Sequence, residues 1–538
     1  MGYLPRYMPF VVVVAIGLFW RLIFLGSTQL NRDEAASWYI AMHPLGSIPG
    51  IVSHDTYQPF YPMVLHAWIS LFGSGEAALR LPAVIAGIGT LAVIWAWTRQ
   101  AAGAGTAFVA ALMVSLSPTL IRIDRLARMH AFETLFATLA WSLLWLLVAR
   151  GSRHGRVWQA LVVASLGIAV AGEVWSMPMG IPNSGLQLLF ALIALAWLRN
   201  RVSLAAAGAV FLGALSLVPW LPYLLRIAGG GTAFWTPVPN LGAVAYTIRD
   251  WVIQDFGGIA FGAVLLLLAL LLAGLGLWAL ATGRLTSRDE GRLLALALLL
   301  DMGLVPVVFL YSQIHSIYDP RYLGSAAPPF FIALSLGIAA ATRWARSRRT
   351  TANPGEPGLL ARTIASRSSG IALTGVVVVS MLAGAVCQIS DLHREISVDA
   401  ARETAAELAG RVQPGDVVLA LNAQTYFPLD YYLDDATRDR LGIRLLECRR
   451  PDAAYFTGWQ VIDGSARIDA PRLSSEGWGN ALGLGPHNTV WLVALDDQAK
   501  EFRRIAPYEQ GQVVETLVFT VPGAVRVGVV HALRLSGP

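Results

Sequence analysis

The sequence predicts a polytopic α-helical membrane protein of about 11 transmembrane helices, followed by a small soluble α/β domain. Three observations predict it. Of 538 residues, 55% are hydrophobic and only 14% charged, with a mean hydropathy of +0.56, a balance that soluble enzymes of this size do not keep. Apolar runs of about 17 to 25 residues, the length that crosses a bilayer as helix, recur along the chain. From about Asp391 the pattern changes to short buried segments separated by turns.

The apolar runs begin near Met8, Leu79, Gly105, His130, Val157, Ser184, Ser203, Ile259, Leu293, Tyr322 and Gly370. The first, Met8 to Leu25, follows Arg6 as the core of a signal peptide would, but no small-x-small cleavage site follows it and many runs come after. It is therefore read as a retained helix. With a cytoplasmic N-terminus, the inner segments include Ala149–Arg156, Arg199–Arg201, Gly283–Arg292 and Arg343–Arg367. These are the arginine-rich ones, as the positive-inside rule requires. The outer side then receives Ser27–Glu76, Ile121–Met129, Glu173–Asn183, Arg226–Gly258, Ser312–Arg321 and everything after about Ser390.

Within the outer loop 27–76, the stretch Met42–Leu71 mixes Ile51, Tyr57, Phe60, Tyr61, Leu65 and Trp68 with polar residues and suits helices lying on the interface. Residues 1–390 form the membrane module and 391–538 an extracytoplasmic domain. In the latter, Ala400–Leu408 reads as a helix, Gln413–Asp416 as a turn and Val417–Leu421 as a buried strand. No internal repeat is visible.

The net charge of +6 comes from arginines in short segments between apolar runs, not from one basic face, so nucleic acid is not the expected partner. Lys500 is the only lysine. Schiff-base chemistry is therefore not expected in the membrane region, and any anionic headgroup falls to guanidinium forks. Cys387 and Cys448 form neither a metal-ligand spacing nor a disulfide framework.

Asn31-Arg32-Asp33-Glu34 closes the first apolar run. Two carboxylates beside an arginine at an interface suit a general base for an acceptor hydroxyl; a solvated loop with incidental charge explains them as well. Ile121–His130 carries Arg122, Asp124, Arg125 and Arg128 on a short outer loop, where positive charge calls for an anionic ligand. The alternative is self-neutralisation, Asp124 pairing with Arg125 or Arg128. His54 and Asp55 lack the partner spacing of a metal site, and Gln58 and Tyr61 share their segment. Arg321 and Arg21 either bind phosphate or snorkel. Trp235, in Phe234–Pro239, either lines a sugar or lipid groove or belongs to an aromatic belt.

Several of these segments, taken together, resemble the GT-C glycosyltransferases, in particular the bacterial group related to protein O-mannosyltransferases and to the aminoarabinose transferase of lipid A. The resemblance rests on Asn31–Ala35, Asp55–Tyr61, Leu65–Trp68, Leu71–Gly73, Leu79–Pro82, Arg125–His130, Trp220–Pro222, Trp235–Pro237 and Arg321–Leu323, in family order. It implies a GT-C fold in a bacterial inner membrane, a polyprenyl-phosphate-linked sugar donor, and an active site on the extracytoplasmic face. The acceptor would be a lipid, a glycan or a protein of the cell envelope, as in lipopolysaccharide biosynthesis.

By the same resemblance Asp33 is the acidic residue of the first outer loop, with Glu34 beside it, and Asp124 is the second acidic residue. Arg125, Arg128 and Arg321 are donor-phosphate ligands. Apart from the resemblance, His54, Asp55, Gln58, Tyr61 and Trp235 are expected to line the substrate groove. Gln58-Pro59 departs from the family, which often has His or Lys before the proline, and His130 stands where Tyr is common. No redox cofactor is required, and a divalent metal is optional because arginines neutralise phosphate. The rival reading is a transporter or flippase of lipid-linked saccharides, which would place ionisable residues within the spans. Glu133 and Asp301, read as isolated or close to span ends, speak against it.

Overall fold

The computed structural model describes residues 4–53, 55, 58–229, 236–254, 258–351, 367–396, 401–447, 462, 467–469, 482, 488–495, 511–520 and 527–535. The chain divides into two compact units, one of Met1–Ile23, Arg80–Pro222 and Thr236–Ile389, the other of Phe24–Leu79, Tyr223–Trp235 and Ser390–Pro538.

The first unit is helical. Its elements are α1 (Leu4–Leu22), most of α5 (Glu76–Ala102), α6 (Ala104–Leu116), α7 (Pro118–Asp124), α8 (His130–Arg150), α9 (Arg156–Ser176), α10 (Gly180–Leu198) and α11 (Arg201–Leu215). After α13 (Leu241–Val252) come α14 (Gly258–Ala281), α15 (Arg288–Met302), α16 (Leu304–Tyr311), α17 (Ala327–Thr351) and α18 (Arg367–Ile396). Among the described residues nine helices are long and apolar enough to cross a membrane, ten if the bent pair α6 and α7 is one span, and Tyr7–Leu22 is a shorter apolar helix. Each of the eleven apolar runs is thus helical. The 61° bend between α6 and α7 has a local cause, since Pro118 forces Ser117 out of the helical region to φ −61°, ψ 120°.

Small residues let these helices approach closely. A Cβ at Gly337 of α17 would fall on the carbonyl of Leu272, and one at Gly276 of α14 on that of Ala333; this packing is the one that holds helices together where lipid removes the hydrophobic drive. The outer face of α14 leaves Ile259, Val264, Leu267 and Leu271 exposed, as a lipid-facing surface would be.

The second unit combines α2 (Arg32–Ala41), α3 (Ile48–Val52), α4 (Phe60–Phe72) and most of α12 (Leu221–Gly229) with α19 (Ala401–Arg411), α20 (Ala423–Tyr432), α21 (Asp435–Leu441) and a six-stranded sheet. The strands are β1 (Val417–Ala420), β2 (Arg444–Glu447), β3 (Arg467–Asp469), β4 (Thr489–Leu495), β5 (Gly511–Thr520) and β6 (Val527–Leu535), in the order β3-β2-β1-β4-β6-β5. Strands β1 to β4 run parallel, while β6 pairs antiparallel with both β4 and β5. Central β1 reads Val-Val-Leu-Ala and is buried at every position, as expected of a parallel strand covered on both faces. The turn before it is pinned by Asp416, whose carboxylate accepts from Thr489 N at 2.7 Å and Trp491 Nε1 at 3.0 Å.

Candidate active site

In the second unit, Asn31 begins α2 and its side chain caps the helix. Asn31 Oδ1 accepts from the Glu34 backbone N–H at 2.9 Å, and Glu34 Oε2 accepts from the Asn31 N–H at 3.0 Å. This reciprocal capping box commits the Glu34 carboxylate to the helix end. Glu34 is fully buried and committed to the cap. Asp33 is exposed on the first turn of α2, where a carboxylate is favoured by the helix dipole and can reach a substrate.

Of the groove residues named above, His54 and Trp235 lie outside the described residues. Gln58 is fully buried, and among the described residues neither its amide nitrogen nor its oxygen has a hydrogen-bond partner; it immediately precedes Pro59, the N-cap of α4. Tyr61, in the first turn of α4, is also fully buried, and Asp55 is half-buried.

In the first unit, Asp124 at the end of α7 takes Arg21 of α1 as its partner. Arg21 Nε donates to Asp124 Oδ2 at 2.7 Å, with both side chains inside the bundle. The remaining guanidinium nitrogens donate to the carbonyls of Gly17, Ser115 and Val114. A Cβ at Gly87 of α5 would fall on the Asp124 carboxylate, so α1, α5 and α7 meet there. The local pairing considered for Asp124, with Arg125 or Arg128, is replaced by this distant one, and Arg21 does not snorkel. Its charge is compensated where it stands.

Arg125 Nη1 donates to the carbonyls of Trp20, Arg21 and Ile23 at 3.0, 3.0 and 2.7 Å. Those are the orphan acceptors at the end of α1, so Arg125 ties α7 to α1. Arg128 is half-buried in the short segment between α7 and α8. Arg321 is bonded through Nε and Nη2 to Asp319, which also caps the segment Pro320–Ala326 by accepting from the Arg321 N–H. His130 stacks on Tyr322 with ring centroids 5.7 Å apart.

One cluster escaped the sequence reading. Glu133, Glu173 and Asp301 are all buried and within electrostatic reach of one another, so Asp301 is not isolated. Gln187 Nε2 donates to Glu173 Oε2 at 2.8 Å, and Asn183 accepts from Trp141 Nε1 at 3.0 Å. The signal in the sequence was polar residues inside four apolar runs; their convergence requires the fold. Among the described residues, no group of three or more His, Cys, Asp or Glu side chains is arranged to hold a metal ion.

Comparison with known proteins agrees with this architecture. Residues 55–223 match the family model described as dolichyl-phosphate-mannose-protein mannosyltransferase. Comparison of the sequence with curated proteins gave no match. The structure is similar to ArnT from Cupriavidus metallidurans in the apo state, with TM-score 0.62, 14% identity and 98% of each chain covered. It is also similar to the same protein bound to undecaprenyl phosphate, with TM-score 0.57, 16% identity and 98% of this chain and 99% of that one covered. The apo oligosaccharyltransferase of Archaeoglobus fulgidus gives TM-score 0.54 at 13% identity, over 100% of this chain and 75% of that one. The chain therefore has the GT-C fold, that of the polyprenyl-phosphate-dependent glycosyltransferases its sequence resembles.

Proposed function

We propose that the protein is a membrane glycosyltransferase that moves a sugar from a polyprenyl-phosphate donor to an acceptor hydroxyl on the extracytoplasmic face. The observation that carries the reading is the division between Asp33 and Glu34, one carboxylate exposed and the other spent on the helix cap. In a single inverting displacement, Asp33 takes the acceptor proton as the acceptor oxygen bonds to the sugar's anomeric carbon. The bond from that carbon to the phosphate oxygen breaks, its electron pair leaving with polyprenyl phosphate. Arg128 and Arg321 are assigned the departing phosphate. Arg125, with three carbonyls on one nitrogen, is assigned a supporting part, as is Asp124.

Deleting the gene and profiling cell-envelope glycans and polyprenyl-phosphate sugars identifies the acceptor and the donor. Complementation with Asp33→Asn is expected to leave the glycan missing and the donor accumulated, with the variant inserted at wild-type amounts. Full complementation by Asp33→Asn excludes Asp33 as the base.

A second reading has one observation in its favour. Buried carboxyls at Glu133, Glu173 and Asp301 are what a transporter of lipid-linked saccharides would carry. Reconstituted vesicles separate the two: a transferase releases polyprenyl phosphate, whereas a transporter moves the intact donor across the bilayer.

A further inference from the structure

Residues far downstream hold the turn that presents Asp33. Gln29 is met from both sides: its Nε2 donates to Glu403 Oε2 at 2.8 Å, and its Oε1 accepts from the Arg402 backbone N–H at 3.1 Å. The Leu30 N–H donates to the Tyr432 hydroxyl at 2.8 Å, and Arg32 Nη1 donates to Gln424 Oε1 at 2.7 Å. Positions 29, 30 and 32 are thus each bonded to α19 or α20, while Asn31 and Glu34 close the cap between them.

The far side of α2 is packed as well. Trp38 meets Tyr431 edge-on with centroids 5.1 Å apart and carries the Arg438 guanidinium 5.5 Å over its ring, and Tyr39 meets Phe427 at 5.3 Å. Burial pushes the Tyr432 phenol up, so its hydroxyl stays neutral, accepting from Leu30 while directed at Glu76 Oε1, 3.4 Å away. Glu76 is itself paired with Arg402. These bonds lie beside an exposed carboxylate on a first helical turn, the part of a helix that frays most easily.

We propose that the C-terminal domain is a positioning device for the base, with Tyr432 and Gln424 as positioning residues that fix the Asn31–Glu34 turn. The proposal rests on Asp33 as base. A shift of about 1 Å in a reacting group costs on the order of 100-fold in rate, so a clamp of four hydrogen bonds on Gln29, Leu30 and Arg32 acts on turnover before it acts on folding. A merely structural contact would lower the amount of folded protein and leave turnover per folded molecule alone.

The test uses the full chain in proteoliposomes, with the polyprenyl-phosphate sugar that accumulates in the deletion strain as donor. Tyr432→Phe and Gln424→Ala are expected to lower kcat about tenfold with KM for the donor nearly unchanged, and to speed hydrogen exchange of amides 30–34 by a similar factor. Gln424→Glu keeps an acceptor for Arg32 and is expected to restore both. Wild-type kcat in Tyr432→Phe and Gln424→Ala overturns the proposal, as does a fall matched by the loss of folded protein or one that Gln424→Glu does not reverse. Asp33→Asn, assayed in parallel, separates the two readings. If it turns over, the base assignment fails and the positioning proposal with it; if it is inactive while the other variants run at wild-type rate, only the positioning proposal fails.

Discussion

Arg21 and Asp124 are 103 positions apart in sequence and 2.7 Å apart in space. Removing one partner of a buried pair leaves a charge without compensation, at a cost of about 3–5 kcal/mol, whereas replacing both with apolar residues of similar volume is often tolerated. Arg21→Met alone is accordingly expected to lower the detergent melting temperature sharply, and Arg21→Met with Asp124→Leu to recover most of the loss. Equal melting temperatures for the single and double variants would remove the pair as a stabilising contact. The sequence exposed both residues as anomalies, an arginine late in an apolar run and an acid in an outer loop, but it offered Asp124 only neighbouring partners. Glu34 was more legible: Asn31 and Glu34 stand at capping-box spacing, which alone argues that one of the two acids is occupied.

At the scale of elements, the long helices of the first unit could be read because each carries an apolar run, and β1 because five consecutive apolar residues follow a Pro-Gly-Asp turn; α13 and the end of α7 fall in segments read as outer loops. Strands β2 and β3, four and three residues long, are too short to show a period, and their pairing depends on distant partners. The antiparallel β5–β6 pair carries a pH response. Burial lowers the pKa of His531, so the fold favours neutral imidazole beside Thr516. Below the usual histidine pKa of about 6.5, protons bind the unfolded chain in preference to the folded one. The stabilising contribution is complete above that range and is lost as pH falls through it. Pulse proteolysis of the full chain is expected to show the C-terminal domain opening more readily at pH 5.5 than at 7.5, by a margin that shrinks in His531→Gln. An unchanged margin would place the response elsewhere.

For the whole molecule, the arginine distribution sets an expected orientation in the membrane. The segments around Ser152 and Ser287 belong to the arginine-rich set, which the positive-inside rule expects in the cytoplasm. Ser47 and Ala436 belong to the second unit, and all four positions are exposed. In a cysteine-free background, Ser47→Cys and Ala436→Cys are expected to react with a membrane-impermeant thiol reagent in intact cells, and Ser152→Cys and Ser287→Cys only after lysis. The reverse pattern would invert the orientation. Run lengths made the apolar helices legible in the sequence. The buried group of Glu133, Glu173 and Asp301 was not, because no sequence period reports which faces of α8, α9 and α15 turn toward one another.

The meeting of Arg21, Asp124 and Gly87 also constrains how the sequence can drift. Gly87 cannot gain a side chain while Asp124 keeps its carboxylate, and Asp124 cannot lose its charge without stranding Arg21. Single-step neutral exchange is closed at all three sites, so lineages should inherit the trio intact or replace it together.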